Sequence, residues 1–171
     1  DFAEAQIFER HQAFNQGHVF SNSVTESSVG NQAHFKHFKL QNDLDSSSMV
    51  DSTFVKQGAN SSALVDTFAF SGELVRNNLH FEFTGMHAEA HMDAITLLKG
   101  KSLVDHHTFV DHAVPHCQSN QLYKGIYDEK SKGVFNGKVM VRKDAQKTNA
   151  FQQNNNLLLS DCLLYTSDAA D

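Results

Sequence analysis

Apolar and polar residues alternate along much of this chain, which is the pattern of β-strands that bury one face. In residues 86–93 every apolar side chain falls on one parity, and residues 79–83 and 34–36 repeat the pattern. Residues 133–141 are rich in Val and interrupted by glycine, as β-structure often is. The polar segment 42–48 is expected to be a loop. The pattern therefore predicts a chain built mainly from half-buried strands.

Two segments have helical features that compete with this interpretation. Residues 3–14 contain Ala, Glu and Gln with apolar side chains near helical spacing, and residues 89–99 are followed by Gly100, a typical residue after a helix. Propensity alone favours a helix in both. We nevertheless predict strands there, because of the family resemblance described below.

Short sequence words recur and indicate a solenoid, in which each coil covers the face that its neighbour leaves bare. Residues 98–100 and 123–125 match at a separation of 25 positions, and residues 30–35 resemble residues 85–90 and, loosely, residues 3–7. The Gln/Asn run 152–156 would suit stacked side chains at coil corners, and it would suit an exposed loop equally well.

Composition and charge narrow the class of protein. The 171 residues are 40% hydrophobic and carry a formal net charge of −6, which argues against a nucleic-acid partner because phosphate binding needs clustered Lys and Arg. No apolar run approaches the roughly 20 residues that cross a bilayer, so no membrane span is predicted. Two cysteines do not make a disulfide framework, and we expect a reducing compartment.

The two ends of the chain look unlike those of a complete protein. It begins at Asp1, and residues 162–171 resemble the translation of a sequencing adapter. We therefore expect residues 1–161 to be a core fragment truncated at both ends, and residues 162–171 to be disordered adapter read-through. Ordering ten residues costs on the order of 10–20 kcal/mol of backbone entropy, more than burial of Leu163, Leu164 and Tyr165 would return.

The densest group of potential metal ligands lies in residues 105–117. As a strand, this segment places His106 and His112 on one face and His107 on the other, so His106 and His107 cannot bind one ion together without a bulge. Cys117 follows Pro115 in a turn. Imidazole, carboxylate and thiolate are the usual ligands of zinc and iron. A solvated or interface strand is the simpler interpretation, and a metal or cluster role is the alternative.

A second polar group comprises His87, Glu89, His91 and Asp93, which we expect on one face of a strand. Alternate residues on a strand can chelate one ion with help from a neighbouring strand. The cupin pattern of His-x-His with a Glu a few residues later is absent, so a solvated face is favoured.

Residues 105–161 carry a specific set of motifs. In order, they are His107-Thr108, Asp111-His112, Pro115-His116-Cys117, Gln121-Leu122-Tyr123-Lys124-Gly125, Gly133-Val134-Phe135-Asn136-Gly137-Lys138, Ala145-Gln146-Lys147-Thr148-Asn149-Ala150 and Asn156-Leu157-Leu158-Leu159-Ser160-Asp161. This string resembles the core of the SufB/SufD family of iron–sulfur cluster assembly proteins. Upstream, residues 10–12, 25–26 and 76–79 favour the SufD branch of that family.

The resemblance implies an all-β fold, a right-handed parallel β-helix, and a role as a scaffold. Members of the family pair a SufD-like with a SufB-like subunit and work with the SufC ATPase in a cytoplasmic complex. The resemblance therefore implies SufB-like and SufC-like partners, no enzymatic activity of this subunit, and an iron–sulfur cluster carried transiently by the complex, with none on this segment. His112, His116 and Cys117 match family-typical positions and are the candidates for cluster binding; the metal ligands are otherwise unassigned.

Two other classes of function stay open at this stage. One is a metal-binding β-barrel of cupin type, which would use His87 and His91 as ligands. The other is a secreted β-helix enzyme that acts on polysaccharides and would need an open groove lined by carboxylates.

Overall fold

Every regular element in the described part of the chain is a β-strand. The computed structural model describes residues 1–12, 17–160 and 164–170. The strands are β1 Glu4–His11, β2 Val19–Val29, β3 His34–Asn42, β4 Ser47–Gln57, β5 Ser62–Ser71, β6 Leu74–Phe83, β7 Glu89–Leu98, β8 Leu103–His112, β9 Gln118–Tyr127, β10 Lys132–Val141, β11 Asn149–Leu158 and β12 Leu164–Ala170. The described residues include no helix long and apolar enough to cross a membrane.

Successive strands alternate between two six-stranded sheets. The odd-numbered strands form one sheet in the order β1-β3-β5-β7-β9-β11, and the even-numbered strands form the other in the order β12-β10-β8-β6-β4-β2. All neighbours within both sheets pair in parallel. The chain is therefore a parallel β-solenoid of about five turns, which confirms the predicted β-helix. Its right-handed sense stays a prediction.

The strands form where the sequence alternates. In β5 and β6 inward side chains are buried while their neighbours on the opposite parity are partly exposed. The two segments with helical propensity are strands as well: β1 lies against β3, and β7 is hydrogen-bonded on both edges, to β5 and β9. Tertiary pairing thus overrides local propensity. Ala13 and Phe14, at the end of the first segment, lie outside the described residues.

The sequence echoes are explained by the coil length in one case and not in the other. His34 pairs with Ser62, which pairs with Glu89, so residues 30–35 and 85–90 occupy the same position two coils apart. The 25-residue match is wrong as a repeat, because Leu98 lies beside Tyr127 and Lys124 beside Ile95. The run 152–156 is neither a corner nor a loop; it lies within β11 and pairs with β9.

The core lies between the two sheets and is filled by the inward residues of both. Its main cluster includes Phe35, Val65, Phe81, Met92 and Phe135. A smaller cluster is formed by Ala69, Val75, Leu98, Val104 and Tyr127. The apolar faces that the alternation predicts therefore meet inside the coil.

The last strand departs from expectation. Residues 164–170, predicted to be disordered, form β12, which pairs in parallel with β10. The physical reason is that β10 would otherwise present a row of unpaired N–H and C=O groups. The adapter origin of residues 162–171 stays a prediction, and Cys162 lies outside the described residues.

One corner between β6 and β7 is closed by a glycine. A Cβ on Gly85 would fall on the backbone nitrogen of Ala59, which belongs to the corner of the preceding coil. Backbone atoms of a neighbouring coil cannot move aside as the end of a flexible side chain can. Only glycine fits this contact between coils.

We expect the substitution Gly85→Ala to lower the free energy of unfolding by about 1–3 kcal/mol or more, because overpacked sites displace their surroundings. Urea denaturation measures this change. Gly17→Ala is the matched control: no atom lies within 4 Å of a Cβ at Gly17, so stability should stay within about 0.5 kcal/mol. Equal effects of the two substitutions would contradict the close approach of coils at Gly85.

Candidate functional site

The three residues predicted to bind a cluster lie around the corner that joins β8 to β9, but they face different surroundings. His112 is the last residue of β8 and is fully buried. Cys117 immediately precedes β9 and is 1% exposed. His116 is exposed on the outside of the corner, with a left-handed φ of 64°. The structure thus brings these residues near one another along the chain without aiming them at one point.

The buried imidazole of His112 is a packing and hydrogen-bonding group. Its Nε2 lies 3.0 Å from the Ser119 hydroxyl, and its ring centroid lies 4.6 Å from that of Phe83. Burial lowers the pKa of His112 to about 4, so its imidazole is neutral near pH 7.

The Cys117 thiol is held in the same way. Its Sγ donates to the carbonyl oxygen of Gly85 at 3.4 Å, and burial raises the pKa of the thiol above its usual value. The thiolate is the form that binds metal and iron–sulfur clusters. Cys117 is therefore a protonated, shielded group in this conformation.

The donor set of the described residues does not fit an iron–sulfur cluster. No three side chains of His, Cys, Asp or Glu stand close enough together there to hold a metal ion. A cluster prefers several thiolates, whereas Cys117 is buried and protonated. The cluster is the cargo of the predicted assembly system, and these residues alone do not form a binding site for it.

The second predicted group is split by the fold. Glu89, His91 and Asp93 point outward from β7, as predicted. His87 is not on that strand face; it lies in the corner before β7 with a left-handed φ of 62°. The interpretation as a cupin-type barrel is wrong, because the sheets are parallel and open rather than a closed antiparallel barrel.

A column of buried polar side chains, which the sequence pattern did not predict, lies inside the solenoid. Lys39 on β3 is 3% exposed and Asp51 on β4 is 1% exposed, and they form an ion pair across the two sheets. The Lys39 ammonium also donates to the Thr53 hydroxyl at 2.6 Å. A buried charge pair of this kind persists only with such additional hydrogen bonds.

The column continues into the next coils through amide and imidazole groups. Gln41 on β3 and Asn77 on β6 exchange two hydrogen bonds, of 2.6 and 3.0 Å. Asn77 then donates from Nδ2 to Nδ1 of His106 at 3.3 Å, and Nε2 of His106 lies 3.0 Å from the Thr96 hydroxyl. Because an amide N–H faces Nδ1, that nitrogen must be unprotonated. Burial also lowers the pKa of His106, to about 4.

A third polar group lies near the β1 end of the solenoid. The Glu9 carboxylate accepts hydrogen bonds from His11 at 2.8 Å and from His37 at 2.7 Å. These bonds hold the pKa of Glu9 well below its usual value, and the hydrogen bond that His11 donates to Glu9 raises the pKa of His11.

A signal for the column does exist in the sequence. His37, Lys39 and Gln41 continue the parity of the inward residue Phe35, and Asp51 follows Met49 in the same way. Polar residues on the inward parity mark a polar interior, but which of them meet depends on the registers within and between the two sheets.

The outer face of the even-numbered sheet carries a ladder of aromatic rings in tilted and edge-to-face contact. His80 packs between Phe54 and Phe109 at centroid distances of 5.8 and 4.7 Å, and the Lys138 ammonium lies 5.7 Å from the Phe109 ring. A groove of about 500 Å³ opens beside it, lined among others by Glu26, Lys56 and Glu82. Asp105 on the same face pairs with Arg76 and with His107. This face offers a broad polar and aromatic surface.

We expect Lys39→Met to lower the free energy of unfolding by about 3–5 kcal/mol, because it leaves the Asp51 carboxylate buried without its cation. The double substitution Lys39→Met/Asp51→Leu should recover much of that loss. Lys56→Met is the matched control, since Lys56 pairs with Glu82 at 3.7 Å on the exposed surface, and it should cost less than about 1 kcal/mol. Chemical denaturation measures all three variants. A similar small cost for Lys39→Met would contradict the buried pair.

We expect the protein to lose stability as the pH falls from 6.5 towards 4. In that window unfolded histidine binds a proton, but His106 and His112, whose pKa values are lowered to about 4, do not. Each contributes a slope of about 1.4 kcal/mol per pH unit to the free energy of unfolding. The raised pKa of His11 acts in the opposite direction.

The substitution His106→Gln should remove one such contribution from the pH dependence measured by denaturation at a series of pH values. An unchanged slope in His106→Gln would show that His106 is not held neutral by burial.

The chain is similar to known proteins over most of its length. A family model described as SUF system FeS cluster assembly, SufBD core domain, matches residues 1–163. An iron–sulfur cluster assembly SufBD family protein of Synechocystis is 36% identical over 141 residues, which are 82% of this chain and 31% of the relative. The iron–sulfur cluster assembly protein SufD of Escherichia coli is 28% identical over 159 residues, 92% of this chain and 37% of the relative.

A plant protein is similar as well. The chloroplastic protein ABCI7 of Arabidopsis thaliana is 33% identical over 147 residues, 84% of this chain and 30% of the relative. The chain spans about a third of the length of these three relatives. The family model nevertheless covers nearly all of its 171 residues. The chain belongs to the SufBD core domain family of the SUF system for iron–sulfur cluster assembly.

Proposed function

We propose that this chain forms the β-solenoid core of a SufD-like scaffold subunit in an iron–sulfur cluster assembly complex. The observation that carries the proposal is the match of the SufBD core model to residues 1–163 of a parallel β-solenoid. Similarity to SufD of Escherichia coli over 92% of the chain supports the SufD branch.

The proposed partners are a SufB-like subunit and a SufC-like ATPase. A solenoid presents long, regular faces to a second protein, and the ladder of Phe54, His80 and Phe109 is part of such a face. ATP hydrolysis belongs to the SufC-like partner, and this subunit acts as a scaffold and not as an enzyme. The cluster is carried transiently by the assembled complex.

The proposed location is the cytoplasm. The relative in Arabidopsis is named as a chloroplastic protein.

His112, His116 and Cys117 remain candidates for contact with the cluster. His116 alone reaches the surface, so contact by His112 or Cys117 would require the corner between β8 and β9 to open. Such an opening would also have to break the bond from the Cys117 thiol to Gly85.

Co-purification tests the proposal. The tagged protein is co-expressed with the SufB-like and SufC-like proteins of its own organism, and we expect the three to co-elute in constant ratio. Gly85→Ala, which disturbs the contact between coils, should reduce that co-elution. Elution of this protein alone, while the other two associate with each other, would overturn the proposal.

A further inference from the structure

One corner of the solenoid repeats a left-handed backbone position in every coil. Residues with positive φ lie two positions before each odd-numbered strand from β3 to β11. They are Gln32, Asn60, His87, His116 and Lys147, with φ between 55° and 64°. This conformation is uncommon outside glycine, and Asn and His are among the residues that adopt it more often. The corner thus aligns one side chain per coil into a line along the outside of the solenoid, which we call the corner row.

Two successive members of the corner row are histidines. His87 and His116 are both exposed, and their rings are stacked with centroids 5.1 Å apart and planes inclined by 22°. That separation is close to the distance of about 4.7–4.9 Å between neighbouring strands. The corner row therefore holds two solvent-accessible imidazoles side by side on neighbouring coils.

Two neighbouring imidazoles are a suitable ligand pair for a divalent transition metal. Zinc binds imidazole nitrogen at about 2.0–2.1 Å, so two nitrogens on one ion lie at most about 4.2 Å apart. Because an imidazole lone pair lies in the plane of its ring, both stacked rings must rotate about their side-chain bonds before one nitrogen of each faces a shared ion, and the exposure of both rings leaves room for that rotation. Water can complete the coordination because the corner is open to solvent.

The neighbouring thiol does not belong to this pair. Cys117 follows His116 in sequence but is buried inside the solenoid, where its Sγ donates to the Gly85 carbonyl. The ligand set on the outside of the corner is therefore nitrogen and water, which suits ions of intermediate softness such as zinc or ferrous iron.

We propose that His87 and His116 form a surface site for one divalent transition-metal ion, held between two coils at this corner. The site depends only on the stacked pair His87 and His116 in the corner row and not on the proposed scaffold function. An ion there joins two successive coils, and it stabilises the folded solenoid increasingly as the free metal concentration rises above the dissociation constant of the site.

Isothermal titration with Zn²⁺ tests the site in the purified protein and in His87→Asn, His116→Asn and the double variant. Asparagine is the conservative choice because Asn60 occupies the same left-handed position one coil earlier. We expect one ion per wild-type chain. Each single variant should show at least the roughly tenfold weakening that loss of even an outer-shell group causes, and the double variant should not bind at this site.

His18→Asn is the matched control. His18 has a side chain that is 87% exposed and lies close to Glu73, outside the corner row. Affinity and stoichiometry should equal those of the wild type. Unchanged Zn²⁺ binding in the double variant, or no binding to the wild type at millimolar Zn²⁺, would overturn the proposal.

X-ray absorption at the zinc edge of the wild-type complex gives an independent measurement that needs no variant. We expect two imidazole nitrogens with oxygen ligands in the remaining positions. Sulfur in the first shell, or a different number of imidazoles, would contradict the site even if the variants proved too unstable to interpret.

Discussion

The parallel hydrogen bonding between successive coils is the constraint on which the rest of this structure depends. Each strand pairs in register with the strand one coil away, so each residue stands over its counterpart in the coil before. Side chains of one type then form ladders without further instruction. The aromatic ladder on the even-numbered sheet and the stacked pair His87 and His116 are two results of the same geometry.

Stability alone does not require the polar and charged side chains that lie inside the solenoid. An apolar core of equal volume is often as stable as a buried ion pair such as Lys39 and Asp51. The buried polar groups instead join side chains of the two sheets, as Lys39 does with Asp51 and Gln41 with Asn77. They connect the two sheets across the interior, and the apolar clusters fill the space beside them.

The pattern of the sequence predicted several of the strands but not the distances between them. Alternation located β3 and β6, and a Val-rich, Gly-interrupted composition located β10. The strand period placed His106 and His112 on one face, which the structure shows to be the inward face. It failed at the corners, where His87 leaves the strand face, and in the repeat length, because the loops between strands vary from coil to coil. The family resemblance, and not propensity, gave the correct assignment of β1 and β7 as strands.

The site candidates show the same limit. Sequence neighbours such as His116 and Cys117 point to opposite sides of the wall, whereas Gln41 and Asn77, which are 36 positions apart, exchange hydrogen bonds. Contacts of the second kind depend on two registers and on the loop lengths between them. None of these is written in local periodicity.

The polar column also determines how the molecule comes apart. A solenoid held only by ladders within each sheet can fray from its ends one turn at a time. Here Gln41 reaches from one coil to Asn77 of the next, and Asn77 to His106 of the one after. Unfolding any one of these coils leaves buried polar groups of its neighbour without hydrogen-bond partners. We therefore expect the middle of the solenoid to unfold as a single cooperative unit.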